Sequence, residues 1–239
     1  MEVRSRTRRI LGLIILFAGI LFGMILAGGL TWANLEANFY FGYNGGAETS
    51  LRLTCPLIMT THETGLAVAT VSNKVERTIS PIFQADISGL LVRTSRTQPS
   101  IEPGETAKLT WDLSPADVVY GHLILVQVYQ KPSFKTPTAT DTCGTLFLDL
   151  PGLSGRQVYM LVLAASLVCM FSGFALWIGP RRWLQRRETV ERWGMLALCL
   201  FILIAILFGS LEVWILGVIF LMMTLLLLVV MLGRRLSST

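Results

Sequence analysis

Residues 193–233 form a run of 41 positions in which Glu212 is the only charged side chain. As one helix this run would reach roughly 60 Å at about 1.5 Å per residue, twice the roughly 30 Å core of a bilayer. It must fold back on itself. Gly209, Ser210 and Glu212 mark the reversal, which predicts spans over 193–210 and 211–233. Two further blocks lie upstream: residues 10–32 hold 23 positions without a formal charge, and residues 158–179 hold 22. The corresponding spans are predicted at 10–32 and 157–179, so the chain reads as a four-transmembrane-helix membrane protein. Composition agrees, because only 15% of its 239 residues are charged and 53% are hydrophobic. A soluble domain carries about 25% charged residues, and disorder needs low hydrophobicity and high charge.

The net charge of +5 would suit a nucleic-acid binder, but the positions of the charges remove that reading. Residues 1–9, the basic loop 180–192 and residues 234–239 together hold eleven basic and three acidic side chains. Residues 33–156 hold nine basic and eleven acidic ones. Basic residues stay on the cytoplasmic side of a membrane. Both termini and the 180–192 loop are therefore expected in the cytoplasm of a cell with an inner (plasma) membrane, and residues 33–156 outside. The tryptophans fit as interface anchors: Trp32 and Trp214 at the outer boundary, Trp177, Trp183 and Trp193 at the inner one. Residues 10–32 exceed the 7–15 residues of a signal-peptide core, and no A-x-A cleavage site follows. They read as an uncleaved anchor.

The outer segment has a different character. Short β-rich runs over 51–59, 66–72, 79–87, 90–97, 107–113, 122–130 and 145–150 alternate with Gly, Pro, Asn and Asp signals. That spacing predicts an all-β module, an extracytoplasmic immunoglobulin-like β-sandwich inserted between helices 1 and 2. The run HLILVQVYQ is the most apolar and is expected at the centre, and Leu109, Trp111 and Leu113 are expected to alternate inward along the run AKLTWDL.

Within this segment the run VATVSN, the turn IEPGE and the run AKLTWD resemble bacterial Ig-like modules of the cell-adhesion-related (CARDB) type. The resemblance covers roughly residues 64–130. It implies a sandwich fold of a kind used in adhesion, scaffolding and substrate positioning, and it names no reaction.

Four cysteines divide by compartment. Cys55 and Cys143 both lie in the outer segment, where oxidising conditions favour a disulfide between them; Cys169 and Cys199 lie in spans and read as small packing residues. His62 and His122 lack partners at metal-ligand spacing, since HETG is not HExxH. No nucleophile, phosphate-loop or paired-carboxylate pattern is present, so the chain is expected to be non-catalytic, with no metal and no cofactor. Glu212 at a hairpin tip reads as solvated. Gly19, Gly23 and Ala27 recur every four residues along the first span, a spacing that lets helix backbones approach closely; the partner helix is either in the same chain or in another. The expected partners are membrane lipids and other membrane-protein subunits, with no nucleic acid. Function reads as an accessory or scaffold subunit of a larger membrane complex, presenting the outer domain for protein–protein interaction. The alternative is a free-standing receptor or adhesin binding through loop aromatics, with Phe39, Tyr40, Phe41, Tyr43 and Phe134 on offer; a transporter component ranks third.

Reporter fusions check the topology. A cytoplasm-active reporter at Thr239 and an export-active one within residues 131–140 should both work, and an export-active signal from Thr239 would contradict the charge argument.

Overall fold

The computed structural model describes residues 2–42, 51–131, 138–178 and 188–236. Helix α1 (Glu2–Tyr40) leads into eight strands: β1 (Leu51–Thr54), β2 (Ile58–Thr60), β3 (Gly65–Ser72), β4 (Phe83–Ile87), β5 (Arg93–Thr97), β6 (Thr106–Leu113), β7 (Leu123–Gln130) and β8 (Ala139–Leu148). Helices α2 (Gly155–Ile178), α3 (Glu188–Ser210) and α4 (Trp214–Leu236) follow. The chain divides into two compact units, a helical one (Met1–Thr31 with Tyr159–Thr239) and a β unit (Trp32–Val158).

In the helical unit, four helices among the described residues are long and apolar enough to cross a membrane, over Ile10–Tyr40, Gly155–Trp177, Arg192–Ser210 and Trp214–Met231. The reversal between α3 and α4 is tight. The Val213 N–H donates to the Phe208 carbonyl at 3.0 Å and the Glu212 N–H to the Gly209 carbonyl at 3.3 Å. Glu212 has φ +63° between them. This is the paired-bond helix ending that a left-handed residue permits. Phe220 of α4 closes the hairpin against Phe201 and Phe208 of α3, with ring centres 5.9 and 5.8 Å apart.

The β unit packs a three-stranded sheet, β1-β3-β6, on a five-stranded one, β2-β8-β7-β4-β5. Alternating side chains from both sheets share one core, including Leu53, Val71 and Trp111 from the first sheet and Phe83, Ile124 and Val126 from the second. Residues 51–59, expected as one strand, are two. Pro56 has no N–H for a ladder, and the chain crosses there from β1 in one sheet to β2 in the other, where β2 runs parallel to β8. The strand expected at 79–87 pairs regularly only from Phe83, after Pro81, although Ile79 bridges to Ile101. At the C-terminal end β8 begins at Ala139, ahead of the expected 145.

Helix α1 does not end at residue 32. It continues to Tyr40, and its final turns belong to the β unit. Ala33 and Ala37, one helical turn apart, lie against Leu123 and Leu125 on the outer face of β7. A methyl group is the largest apolar side chain that lets a helix lie this close, and the contact point on β8 has none. An added Cβ at Gly144 would overlap the Ala33 carbonyl, while the Gly144 N–H donates to Asn34 Oδ1 at 3.1 Å. The helix stops at Gly42, whose φ is +74°. Thus β7 is buried on both faces, which is why its sequence is nearly continuous in apolar residues rather than alternating.

The start of α2 is held similarly. The Glu63 carboxylate accepts the Gly155 N–H at 2.7 Å and the Thr60 N–H at 2.8 Å, placing an anion at a helix N-terminus, where exposed N–H groups favour it. Ser154 and Gln157 exchange side-chain-to-backbone bonds at the same turn, a capping box.

Three ties close the sandwich. Cys55 and Cys143 are disulfide-bonded, with Cα atoms 5.9 Å apart and a sequence separation of 88. By loop entropy such a link is worth at most about 4–5 kcal/mol. Asn73, buried at the end of β3, donates its side-chain amide to the carbonyls of Arg77, Ile101 and Glu102 and accepts the Val75 N–H. It thereby joins the VSN strand end to the EPGE turn. There the Glu105 N–H donates to the Glu102 carbonyl at 3.1 Å, around Gly104 at φ +75°. The third tie is Asp141, whose carboxylate accepts the N–H of Leu53 on β1 at 2.7 Å and that of Thr142 at 2.9 Å.

Burial raises the Asp141 carboxyl above its ordinary 3.8, against the lowering effect of the two N–H donors and Arg52. The folded state then holds this proton to higher pH than the unfolded chain does. Its contribution to stability is fully present below 3.8 and is lost as pH rises through the folded value. Chemical denaturation of wild type and Asp141→Asn across pH 3–7 should therefore show the wild type losing stability relative to the variant as pH rises. A difference independent of pH would contradict the assignment.

Candidate functional site

The β4–β5 connection carries the most exposed large apolar side chains of the β unit. Leu90 is 101% and Leu91 89% exposed, with Val92 and Tyr120 also open to solvent. A single exposed leucine needs no explanation; two consecutive ones at a loop apex, beside an exposed valine, form a patch. Covering a leucine side chain returns about 1.5–3 kcal/mol, so these residues are a store of binding energy.

The base beneath this apex is polar and closely tied. Ser88 is fully buried; its Oγ donates to the Asp117 carbonyl at 2.7 Å and accepts the Leu125 N–H at 2.8 Å. One carboxylate oxygen, Asp117 Oδ2, receives the Ser114 N–H at 2.8 Å, the Ser114 hydroxyl at 3.1 Å and Arg93 Nη2 at 3.0 Å. Arg93 also donates to the Asp112 carbonyl at 2.5 Å. The short 3-10 turn Pro115–Asp117 is thereby fastened to both ends of the 88–92 loop. Beside it Tyr120 sits at φ +53°, a backbone region that bulky residues seldom enter. Its ring meets Tyr40 edge-on at 6.3 Å, and Tyr40 in turn meets Phe41 at 4.9 Å.

The strand expected over residues 90–97 would start at Leu90. The structure corrects this: β5 begins at Arg93, and Leu90–Val92 form the loop before it. Past Ile87 the Ser88 N–H still donates to the Leu125 carbonyl at 2.8 Å, but the Leu125 N–H turns to Ser88 Oγ instead of a backbone carbonyl, and the regular ladder ends there. The missed signal was the polarity of RTSRT. A strand that is polar throughout does not need the three apolar residues preceding it, and Ser88-Gly89 is a turn pair.

The other sequence-predicted positions fall as follows. Gly19 lies against α2, where an added Cβ would be 2.7 Å from the Met170 backbone nitrogen, and the Ser166 hydroxyl donates to the Gly19 carbonyl at 2.8 Å. An added Cβ at Gly23 would lie 2.5 Å from Ile202 of α3, and Ala27 is fully buried. The neighbours of this stripe are thus helices of the same chain. Trp32 and Trp193 are exposed, Trp177 and Trp214 are half-buried, and Trp183 lies outside the described residues, as do most of the 180–192 loop, Tyr43 and Phe134. Among the described residues, no group of three or more His, Cys, Asp or Glu side chains is placed to hold a metal ion.

No family model matches the chain, and no curated protein matches it. Among solved structures it is similar to a CARDB domain from Pyrococcus furiosus in complex with di-metal ions, at 13% identity and a TM-score of 0.33, covering 44% of this chain and 96% of that one. It is similar also to a β-glucosidase from Listeria innocua in complex with isofagomine, at 12% identity and a TM-score of 0.30 over 42% of this chain. A third is β-glucuronidase 2 of Bacteroides uniformis, at 15% and 0.31 over 41%. The matches span only 16% and 13% of the length of those two enzymes.

Asp117→Ala removes the acceptor shared by three donors and should lower the stability of the β unit by about 1–3 kcal/mol. Hydrogen exchange in the 88–92 loop should rise in the same variant while β7 stays protected. Unchanged exchange in that loop would show that Asp117 does not fasten it.

Proposed function

We propose that this protein is a non-catalytic accessory or scaffold subunit of a larger membrane assembly. It would cross the membrane four times, with both termini cytoplasmic and the β unit outside as an immunoglobulin-like, CARDB-type interaction module. The observation that carries the reading is the apolar apex Leu90–Leu91–Val92, held on a closely hydrogen-bonded base. A protein that stores binding energy on a fastened loop is built to associate. The charge asymmetry across the four apolar helices supports the topology. The order of the two sheets and the Asn73 hub linking VSN to EPGE support the module type.

Gentle detergent extraction followed by blue-native electrophoresis and mass spectrometry tests this. Wild type should migrate in a discrete assembly that contains at least one other membrane protein. Gly23→Leu places a branched side chain against Ile202 and should cost about 1–3 kcal/mol of helix packing. The variant should still insert, but as a looser bundle that reaches the assembly in lower yield. A wild type that runs alone, or that shows enzymatic turnover, would overturn the proposal.

A further inference from the structure

A β-sheet ends in strands whose outward N–H and C=O groups lack a ladder partner, and proteins guard such edges. The three-stranded sheet ends in β1 and β6. Hydrogen-bonding direction alternates along an antiparallel strand, so one bond fixes which residues of β6 face outward. The Asn73 N–H donates to the Glu105 carbonyl at 2.9 Å, one step before β6 in the same register. Ala107, Leu109, Trp111 and Leu113 therefore bond toward β3, and Thr106, Lys108, Thr110 and Asp112 turn their backbone groups to the open edge. Two further bonds agree. The Asp112 carbonyl accepts from Arg93 Nη2 on that edge, and at the other end of the sheet Leu53 of β1 turns its N–H outward to Asp141.

The edges differ in how they are guarded. β1 has four residues, is met by the Asp141 carboxylate and is followed at once by the Cys55 disulfide. β5, which ends the other sheet, is polar throughout and carries Arg93 and Arg96. β6 has eight residues that pair one to one with β3, without a bulge or a proline. Among the described residues no strand lies on its outer edge. The side chains of Thr106, Lys108, Thr110 and Asp112 are all exposed. Such an edge fits an extended backbone. Charge selects which one, because Lys108 and Asp112 stand equally far on either side of Thr110. The edge is complementary to itself.

We infer that β6 pairs antiparallel with β6 of a second copy of this chain, about a two-fold axis at Thr110. Thr110 then faces its own mate, and Lys108 of each copy faces Asp112 of the other. All three residues turn backbone groups outward, so each pair can exchange ladder bonds. The Asp112 carbonyl keeps a second lone pair beside the one that Arg93 occupies. Opposite charges directly across a ladder stabilise it, whereas an axis at Lys108 or at Asp112 sets like charges face to face. The contact is isologous, as a two-fold dimer requires, and it joins two three-stranded sheets into one. It goes beyond the association reading above and stands on the strand alone.

The test is disulfide trapping of the full-length protein in native membranes, with Cys169 and Cys199 replaced by alanine. Residues facing each other in a hydrogen-bonded pair have Cα atoms about 5.5 Å apart, within the roughly 4.4–6.8 Å that a disulfide spans. Thr110→Cys should therefore give an adduct of twice the chain's mass on mild oxidation. Thr106 is also exposed, but in this register its two copies lie roughly 27 Å apart at about 3.4 Å per residue. Thr106→Cys should give at least fivefold less adduct. Adding Lys108→Asp or Asp112→Lys to Thr110→Cys should lower the adduct at least fivefold, because each sets like charges across the ladder. Co-expressing those two variants under different tags should restore an adduct between them, since each offers the charge that the other lacks. A formed Cys55–Cys143 bond in every variant shows that the unit is folded. Equal adducts at the two positions, no adduct at Thr110, an adduct with a different protein, or no restoration in the mixture would each overturn the inference. If the assembly on blue-native gels persists without a Thr110 adduct, the edge assignment fails and the association reading stands. A Thr110 adduct from a chain that co-migrates with no other membrane protein gives the reverse.

Discussion

Where the Ala33 carbonyl rests on the Cα of Gly144, a helix backbone touches a sheet backbone with no side chain between them. Much of the β unit follows from that contact. It brings the last two turns of α1 onto β7 and β8 as a third layer, so Leu123 and Leu125 find apolar cover on the face opposite the sandwich core. Without the layer, those two leucines would face water on a central strand, and the five-stranded sheet would carry an apolar patch of its own. One helix thus serves two environments. Its earlier turns present glycines to other helices of the chain, and its final turns present alanines to a sheet. In both cases small side chains do the work, because close approach gains dispersion contacts that bulkier residues would forfeit by separation.

The polar residues of the β unit follow a common pattern. Asp141, Asn73, Glu63 and Asp117 each sit where two chain segments meet, and each takes up backbone groups that no ladder satisfies. Buried backbone donors and acceptors must be paired. At a strand edge, a helix start or a turn, a side chain is the available partner. The disulfide adds a covalent tie between β8 and the segment just after β1. These ties make the loops near the Leu90 apex extensions of the core, and that gives an exposed leucine pair significance it would lack on a floppy loop.

Much of this was legible in the amino-acid order. Apolar runs and arginine clusters mark the helices because bilayer thickness sets a length that chance seldom reaches. HLILVQVYQ was readable as the central strand, and the structure places it as β7, between β8 and β4. Cys55 and Cys143 were readable as a pair because the other two cysteines lie in apolar helices. Three features were hidden. Residues 33–40 looked like a segment following the span, since hydropathy reports where apolar character falls and not where the helix ends. Ala33 and Ala37 show their purpose only beside Gly144, which lies more than a hundred positions away. The division of residues 51–59 between two sheets needed the meaning of Pro56, which removes a donor without saying where the chain goes next. Leu90–Val92 resembled the start of a strand because short apolar runs are ambiguous until their neighbours' bonding is known.

The end of α1 is part of the β unit, and amide hydrogen exchange of the intact protein in nanodiscs measures that directly. Peptides covering residues 33–40 should exchange slowly and at the rate of β7 peptides, opening only when the sandwich opens. Exchange of those residues within seconds, while β7 remains protected, would mean that the helix end frays free of the sheet and would contradict the structure described here.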